Sequence, residues 1–225
     1  RETLKGALVH YVRSQAADKK LWDDSEDSSA EATDKSGHET RRITVLIAEL
    51  RGFSSLAEKM GTEKVFALLN DYFSTMIDIV LRNRGSLEKS TNDSVVAVFG
   101  SAAPDSHQER HAVEAAITMQ HALERILHEW KIDAASLVKL QIGIHTGEVE
   151  TRSAGGSQEL DSRTVAEINR VAEEVKNAGT TGENTLLLSA KTAEMIQPVF
   201  PMSKLEEPVE AEPVFQVTMP KPSLA

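Results

Sequence analysis

Apolar residues follow two different periods along this chain, and the changes of period mark its strands and helices. Residues 43–50 form a mostly apolar run that includes Glu49 near its end, which predicts a buried strand. Residues 62–84 place apolar side chains every three or four positions, which predicts an amphipathic helix that ends before Gly85. Long helices are predicted at residues 62–84, 105–131 and 164–177.

Shorter apolar runs, bounded by turn residues, complete the predicted fold. Residues 86–90 and 95–99 flank a Thr-Asn-Asp-Ser turn, which is typical of a β-hairpin. Further strands are predicted at 138–144 and 185–188, followed by a short helix and a closing segment of the domain that contains residues 214–217. Because the hairpin requires antiparallel neighbours while helices separate the other strands, we expect an α+β fold. The specific expectation is a ferredoxin-like antiparallel or mixed sheet with helices on one face.

The two ends of the chain differ in pattern from its centre. Residues 1–22 carry apolar side chains at helical spacing and predict an N-terminal helix. Residues 23–40 are acidic and lack a large apolar side chain, so they are expected to form a flexible linker. The compact domain is predicted at 41–218 and a short tail at 219–225. The first residue is Arg1 rather than methionine, which leaves room for an upstream sensor or anchor.

Composition narrows the classes of function. The chain has 225 residues, of which 40% are hydrophobic and 27% charged, an ordinary balance for a soluble domain. Its net charge of -10 argues against nonspecific binding to nucleic acid. The absence of cysteine excludes disulfides and thiol chemistry, and favours a cytoplasmic location. The sequence contains neither an apolar run long enough to span a bilayer nor a signal-peptide pattern.

Two carboxylates stand at positions where chemistry is expected. Glu49 lies near the end of the first predicted strand, and Asp93 lies at the tip of the hairpin. If these strands are neighbours, both carboxylates meet at one edge of the sheet. Such a pair can hold two magnesium ions, which activate a hydroxyl and clamp a phosphoryl group. The alternative is a turn aspartate and a strand-end glutamate that bind no metal.

Several segments, in the same order along the chain, are similar to one family. Residues 47–56, Ile-Ala-Glu-Leu-Arg-Gly-Phe-Ser-Ser-Leu, resemble the strand–turn–helix motif of class III adenylate and guanylate cyclases. Residues 87–100 resemble the family's metal-binding hairpin, and residues 142–149 its central strand. Residues 11–15 are similar to the helix that often precedes bacterial cyclase domains, and residues 212–217 fit the family's ending. The resemblance covers nearly the whole chain and implies the class III nucleotidyl cyclase fold.

The resemblance also implies roles for particular residues. Family members form head-to-tail homodimers with the active site at the interface, where ATP or GTP binds with Mg²⁺ or Mn²⁺. One subunit supplies two metal ligands, matched here by Glu49 and Asp93. The other supplies a purine-selecting lysine, an asparagine and an arginine, at positions held here by Lys89, Asn169 and Glu173. The loop that cradles the phosphates is matched by Gly52, Phe53, Ser54 and Ser55.

Some of these matches depart from the family pattern. Glu49 replaces an aspartate, which moves the carboxylate by about 1 Å and can cost on the order of a hundredfold in rate. Glu173 is a greater departure, since it replaces a cation that stabilises the transition state. Loss of a comparable arginine costs roughly 10³ to 10⁵ in rate. Two cations are nearby in sequence, Lys176 and Arg170. Arg170 follows Asn169 directly, so it points about 100° away from Asn169 around the helix.

Together these residues favour a catalytically degenerate cyclase homology domain. We expect a dimeric regulatory or nucleotide-binding module of intracellular signalling, with little or no cyclase activity. One alternative is an active adenylate cyclase that makes cAMP from ATP by two-metal catalysis at a rearranged site. The other is an interaction scaffold that binds no nucleotide.

Overall fold

The computed structural model describes residues 39–90, 93–103, 105–132, 138–154, 157–179, 182–197, 199–205 and 212–218. The predicted N-terminal helix, most of the predicted linker and the predicted tail lie outside these ranges. Glu39 and Thr40, placed in the linker by the sequence, belong to the first strand. Among the described residues, no helix combines the length and the apolar character that crossing a membrane requires.

Eight strands and five helices make up the described part of the chain. The strands are β1 (Glu39–Arg51), β2 (Gly85–Ser90), β3 (Ser94–Phe99), β4 (Lys139–Ala154), β5 (Ser157–Leu160), β6 (Thr185–Ser189), β7 (Met202–Lys204) and β8 (Val214–Val217). The helices are α1 (Phe53–Met60), α2 (Thr62–Arg82), α3 (Gln108–Glu129), α4 (Ser162–Asn177) and α5 (Ala190–Ile196).

The strands form one mixed sheet in the order β2-β3-β1-β4-β6-β8-β7, with β5 paired to β4. Only β4 and β6 run parallel among the pairings described, as expected for two strands joined through the crossover helix α4. The predicted α+β fold with an antiparallel or mixed sheet is therefore confirmed. The hairpin β2–β3 is also present, and it places β3 directly beside β1.

Helices cover both faces of this sheet, whereas the sequence predicted them on one. Successive side chains of a strand point to opposite faces, so β1 contributes to two separate cores. Its residues Leu46 and Ala48 join the large core formed with α2 and α3. Its residues Val45 and Ile47 join a second core with Ile168 of α4. We call the side of the sheet covered by α4 the α4 face. Glu49 follows the alternation of Val45 and Ile47 onto this face.

Two glycines of β4 allow α4 to lie directly on the sheet. A Cβ atom at Gly143 would stand 2.4 Å from the Ala172 carbonyl oxygen and 2.6 Å from the Lys176 backbone nitrogen. One at Gly147 would meet the Ile168 side chain at 2.5 Å. The helix and strand backbones are therefore close, and the last turn of α4 is held over the strand ends.

Local details differ from the sequence prediction at several boundaries. β4 extends to Ala154, ten residues beyond the predicted end of that strand. At the start of α3, Ser106 Oγ is 3.0 Å from His107 Nδ1, and Glu109 pairs with Arg42. The strands β5 and β7 were not predicted, because each is only three or four residues long.

Candidate functional site

Glu49 and Asp93 lie at the same edge of the sheet, as their positions in sequence predict. Glu49 is in register with Ser94 of β3, the residue after Asp93. The backbone N–H of Leu50 donates to the Asp93 carbonyl oxygen at 2.7 Å. The backbone therefore brings the two predicted metal ligands together, on neighbouring strands, at the point where β1 ends.

The charge of Asp93 acts on a tyrosine in the core. Asp93 itself is exposed, while Tyr72 of α2 is buried, with a hydroxyl that has no hydrogen-bond partner among the described residues. Burial raises the pKa of Tyr72, and the negative charge of Asp93 raises this pKa further. The hydroxyl is therefore held neutral close to the strand edge where Asp93 lies.

The segment after β1 turns at Gly52 and leads into the first turn of α1. Gly52 adopts a left-handed conformation with φ of 77°, which favours glycine, and it precedes the first residue of α1. Gly52 has no side chain to cap the helix, and the first-turn amides have no acceptor within it. Phe53 packs against the large core, while Ser54 and Ser55 are exposed. Amides of this kind suit an anion such as a phosphate.

The Glu49 carboxylate is bonded to two cations of its own chain. The Lys176 ammonium, on the last turn of α4, donates to Glu49 Oε2. Arg51 Nε lies 3.1 Å from Glu49 Oε1 and also donates to Gln141 at 3.1 Å. The Lys176 side chain is only 2% exposed and that of Glu49 is 13% exposed, so water weakens the Lys176–Glu49 contact little.

The ion pairs at Glu49 oppose a divalent metal ion there. Both Glu49 oxygens are in ion pairs, so a metal ion would have to compete with the Lys176 and Arg51 cations for this carboxylate. Across the part of the chain that the structure describes, no group of three or more His, Asp and Glu side chains is placed to hold a metal. Glu49 thus lies where the sequence predicts, but with lysine and arginine as partners.

Glu173 shares the same lysine. Its Oε1 is 2.6 Å from Lys176 Nζ, and 47% of its side chain is exposed. Arg170 lies on the outer side of α4, bonded to Glu167 at 2.6 Å and to Glu174. It therefore supplies no charge to the strand edge, as its angular position on the helix predicts. Of the two nearby cations, only Lys176 reaches the predicted site.

A cavity of about 410 Å³ separates the β2–β3 hairpin from the first turns of α4. Asn169 lines it and donates from Nδ2 to Glu88 Oε1 at 3.4 Å, while its own Oδ1 is buried without a partner among the described residues. The pairing of β2 with β3 shifts between Leu87 and Lys89, so Glu88 lies at a bulge. Lys89, the residue after Glu88, is paired through its backbone with Val96.

Lys176 and Glu88 were not assigned roles from sequence. The signal for Lys176 was present, because Ile168, Ala172 and Lys176 are four residues apart and the first two are buried on the α4 face. A lysine at the next position of this series must lie against the sheet. Glu88 gave no such signal, since the bulge that directs its side chain toward Asn169 is not visible in the residue pattern.

Comparisons with known proteins agree on one kind of domain. The family model described as the adenylate and guanylate cyclase catalytic domain matches residues 36–203. An adenylate cyclase of Anabaena cylindrica is 30% identical over 141 residues, which are 61% of this chain and 27% of the relative. This chain spans about a quarter of the length of the curated relatives it matches.

Solved structures show the same fold. The crystal structure of the adenylyl cyclase CyaB from P. aeruginosa has a TM-score of 0.66 and 22% identity, covering 84% of this chain and 100% of that one. The guanylyl cyclase Cya2 has a TM-score of 0.60 and 23% identity, covering 84% and 98%.

Proposed function

This chain belongs to the adenylate and guanylate cyclase catalytic domain family, and from that premise we propose that it is a degenerate member. In this proposal it works as a homodimeric regulatory or nucleotide-binding module of signalling, with little or no cyclase turnover. The nucleotide is ATP or GTP, held between two head-to-tail subunits in the cytoplasm.

The observation that carries the proposal is the carboxylate of Glu173. The cyclase reaction builds negative charge on the phosphates, and the family resemblance gives this position to an arginine. Here a glutamate occupies it, and its nearest cation, Lys176, is also paired with Glu49. A single ammonium between two carboxylates leaves no surplus positive charge for the transition state.

Nucleotide binding is the part of the family's chemistry that the remaining residues support. The turn formed by Gly52, Phe53, Ser54 and Ser55 has amides suited to the phosphates. In our proposal the cavity beside Asn169 and Lys89 receives the base. A Mg²⁺ or Mn²⁺ ion would enter with the phosphates and meet the exposed carboxylate of Asp93. The metal supplies charge neutralisation to the triphosphate, and the protein supplies orientation.

A cyclase assay tests the proposal directly. The purified chain is incubated with ATP or GTP and with Mg²⁺ or Mn²⁺, and cyclic product is measured. We expect little or none. Robust turnover that disappears in Asp93→Ala would overturn the proposal, because it would show catalysis that depends on Asp93.

Partial restoration of the reaction gives a second test. We expect Glu173→Arg to need Lys176→Ala beside it, because a guanidinium at position 173 would otherwise face the ammonium now 2.6 Å from the Glu173 carboxylate. The double variant should form cyclic product faster than the wild type, and the single Lys176→Ala variant serves as control. A double variant no faster than that control would mean that charge at position 173 is not what limits the wild type.

An active adenylate cyclase is the second candidate, favoured by the 30% identity to the Anabaena cylindrica adenylate cyclase. It requires that Asn169→Ala and Asp93→Ala each abolish cAMP formation from ATP. Calorimetry with a nonhydrolysable triphosphate and metal distinguishes these two candidates, the degenerate nucleotide-binding module and the active cyclase, from an interaction scaffold. Heat of binding supports a nucleotide module, whereas neither heat nor a thermal shift supports a scaffold.

A further inference from the structure

Lys176 is a charged residue at a position that packs against the sheet. It follows Ile168 and Ala172 along the buried stripe of α4, and its side chain is 2% exposed. The close approach of α4 at Gly143, where the Lys176 backbone nitrogen would lie 2.6 Å from an added Cβ, fixes the start of this side chain. Its ammonium therefore reaches the end of β1 from one direction only, along the α4 face.

Four groups joined by ion pairs around Glu49 carry charges that cancel one another. Lys176 and Arg51 contribute two positive charges, and Glu49 and Glu173 contribute two negative charges. Each carboxylate has at least one of these cations within ion-pair distance. A divalent cation arriving at Glu49 would meet a neutral cluster and a buried ammonium, and it would be repelled by that ammonium.

We propose that the Lys176 ammonium takes the place of a divalent cation at Glu49, so that Glu49 is not a metal ligand in this chain. Lys176 is a positioning residue, since it acts on metal binding through its ion pair with Glu49. This inference deepens the proposed function, on which it rests, by stating which of the two predicted metal positions is closed. The position at Asp93 is outside it.

Displacement of the lysine is opposed by its burial. For a metal to bind Glu49, the ammonium must leave its carboxylate partners while its stem stays packed between α4 and β4. A buried unpaired charge is strongly unfavourable. The exposed Glu173 could follow a moving lysine, but Glu49 is fixed on a central strand.

Manganese binding by the whole chain tests the inference. Free Mn²⁺ is measured by electron paramagnetic resonance during titration of the wild type, Glu49→Gln, Lys176→Met and the Lys176→Met/Glu49→Gln double variant. Methionine preserves the length of the buried stem and removes its charge. We expect Glu49→Gln to leave wild-type affinity unchanged within error. Lys176→Met should tighten Mn²⁺ binding by about tenfold or more, and the double variant should lose that gain.

Two results would overturn the inference. The first is a weakening of wild-type Mn²⁺ binding by about tenfold or more in Glu49→Gln, which would make Glu49 a ligand despite the lysine. The second is a folded Lys176→Met variant with wild-type affinity. If circular dichroism shows that Lys176→Met does not fold, the comparison of wild type with Glu49→Gln still decides. These titrations contain no nucleotide, so the inference can fail while the cyclase assay remains negative, or hold while that assay is positive.

Discussion

Lys176 shows how one side chain can change the chemistry of a predicted site without touching its backbone. An ammonium and a divalent ion both neutralise a carboxylate, but only the divalent ion leaves coordination positions open for a phosphate. At an effective dielectric constant of about 20, a divalent ion about 4 Å from the ammonium would be repelled by roughly 8 kcal/mol. A repulsion of this size cancels the attraction of the ion to one carboxylate at the same distance, so the ammonium offsets the charge that would draw a divalent ion to Glu49.

His145 lies beside a chain of buried hydroxyl groups. Its Nδ1 is 2.8 Å from Ser189 Oγ, which is 3.0 Å from Thr192 Oγ1, and Thr192 in turn donates to Thr146. The pKa of His145 is lowered, chiefly because burial disfavours its charged form and also because of the charge on Lys191. The carboxylates of Glu212 and Glu167 act in the opposite direction. The neutral imidazole is thus the form that the fold accommodates.

This lowered pKa predicts that acid destabilises the domain through His145. In the unfolded chain His145 titrates near pH 6.5. Below that pH the unfolded state therefore binds a proton at His145 more readily than the folded state does. Stability should therefore fall as the pH drops below about 6.5, and it should fall less in His145→Asn. Urea denaturation of both proteins on either side of this pH measures the difference. Parallel losses in the two proteins would contradict the prediction.

At the residue scale, the sequence predicted where the site residues lie in the fold better than it predicted which side chains they contact. Glu49 and Asp93 were predicted to converge, and β1 and β3 bring them together. The partners of Glu49 were not predicted, because Lys176 is 127 positions away in sequence and only the packing of α4 brings it near. Pairings of this kind depend on tertiary contacts that residue patterns do not contain.

Among the elements, α4 controls the site most directly. It begins at a strong cap, where the Asp161 side chain accepts from the N–H groups of Arg163 and Thr164. It ends with Lys176 over the end of β1. Its distance from the sheet is set by the two glycines of β4, so a change at either glycine acts on the charged cluster through the helix.

The two glycines form a matched pair for testing this control. Gly143→Ala would press a methyl group against the backbone of α4, whereas Gly147→Ala would press it against the Ile168 side chain and not against backbone. We expect Gly143→Ala to lower the free energy of unfolding by about 1–3 kcal/mol, and Gly147→Ala by less. Urea denaturation of the two variants measures this. Equal losses would mean that backbone contact at Gly143 does not set the helix position.

Prediction at the element scale was limited by short strands and by the face to which a helix belongs. The long helices and the hairpin were predicted because their hydrophobic period is sustained. The placement of α4 on the opposite face from α2 and α3 was missed. A parallel crossover fixes that placement, and the sequence does not say that β4 and β6 are neighbours.

For the whole molecule, the proposed dimer makes nucleotide binding and association dependent on each other. If ATP or GTP contacts the phosphate turn of one subunit and Asn169 of the other, it binds the dimer better than the monomer. A ligand with this preference must strengthen association by the same factor. The strength of dimerisation therefore shows whether nucleotide binds between the subunits, even where no cyclic product forms.

Sedimentation velocity can measure this linkage. A nonhydrolysable ATP analogue at about a hundred times its Kd should strengthen dimerisation by up to about a hundredfold for each site that requires both subunits. Asn169→Ala should reduce the effect while leaving association without nucleotide unchanged. A dimerisation constant that does not change when the analogue is added would mean that the nucleotide binds within one subunit or does not bind at all.

The bridge from Glu49 through Lys176 to Glu173 also constrains how this domain could change over generations. The effect of a substitution at any one of the three positions depends on the other two. Replacing Lys176 first leaves two carboxylates without their shared cation, and restoring an arginine at 173 first sets two cations against each other. Under the proposed function, a gain of catalysis through these positions would cross a less stable intermediate in either order. Loss of activity in such a domain would then be easier to acquire than to reverse.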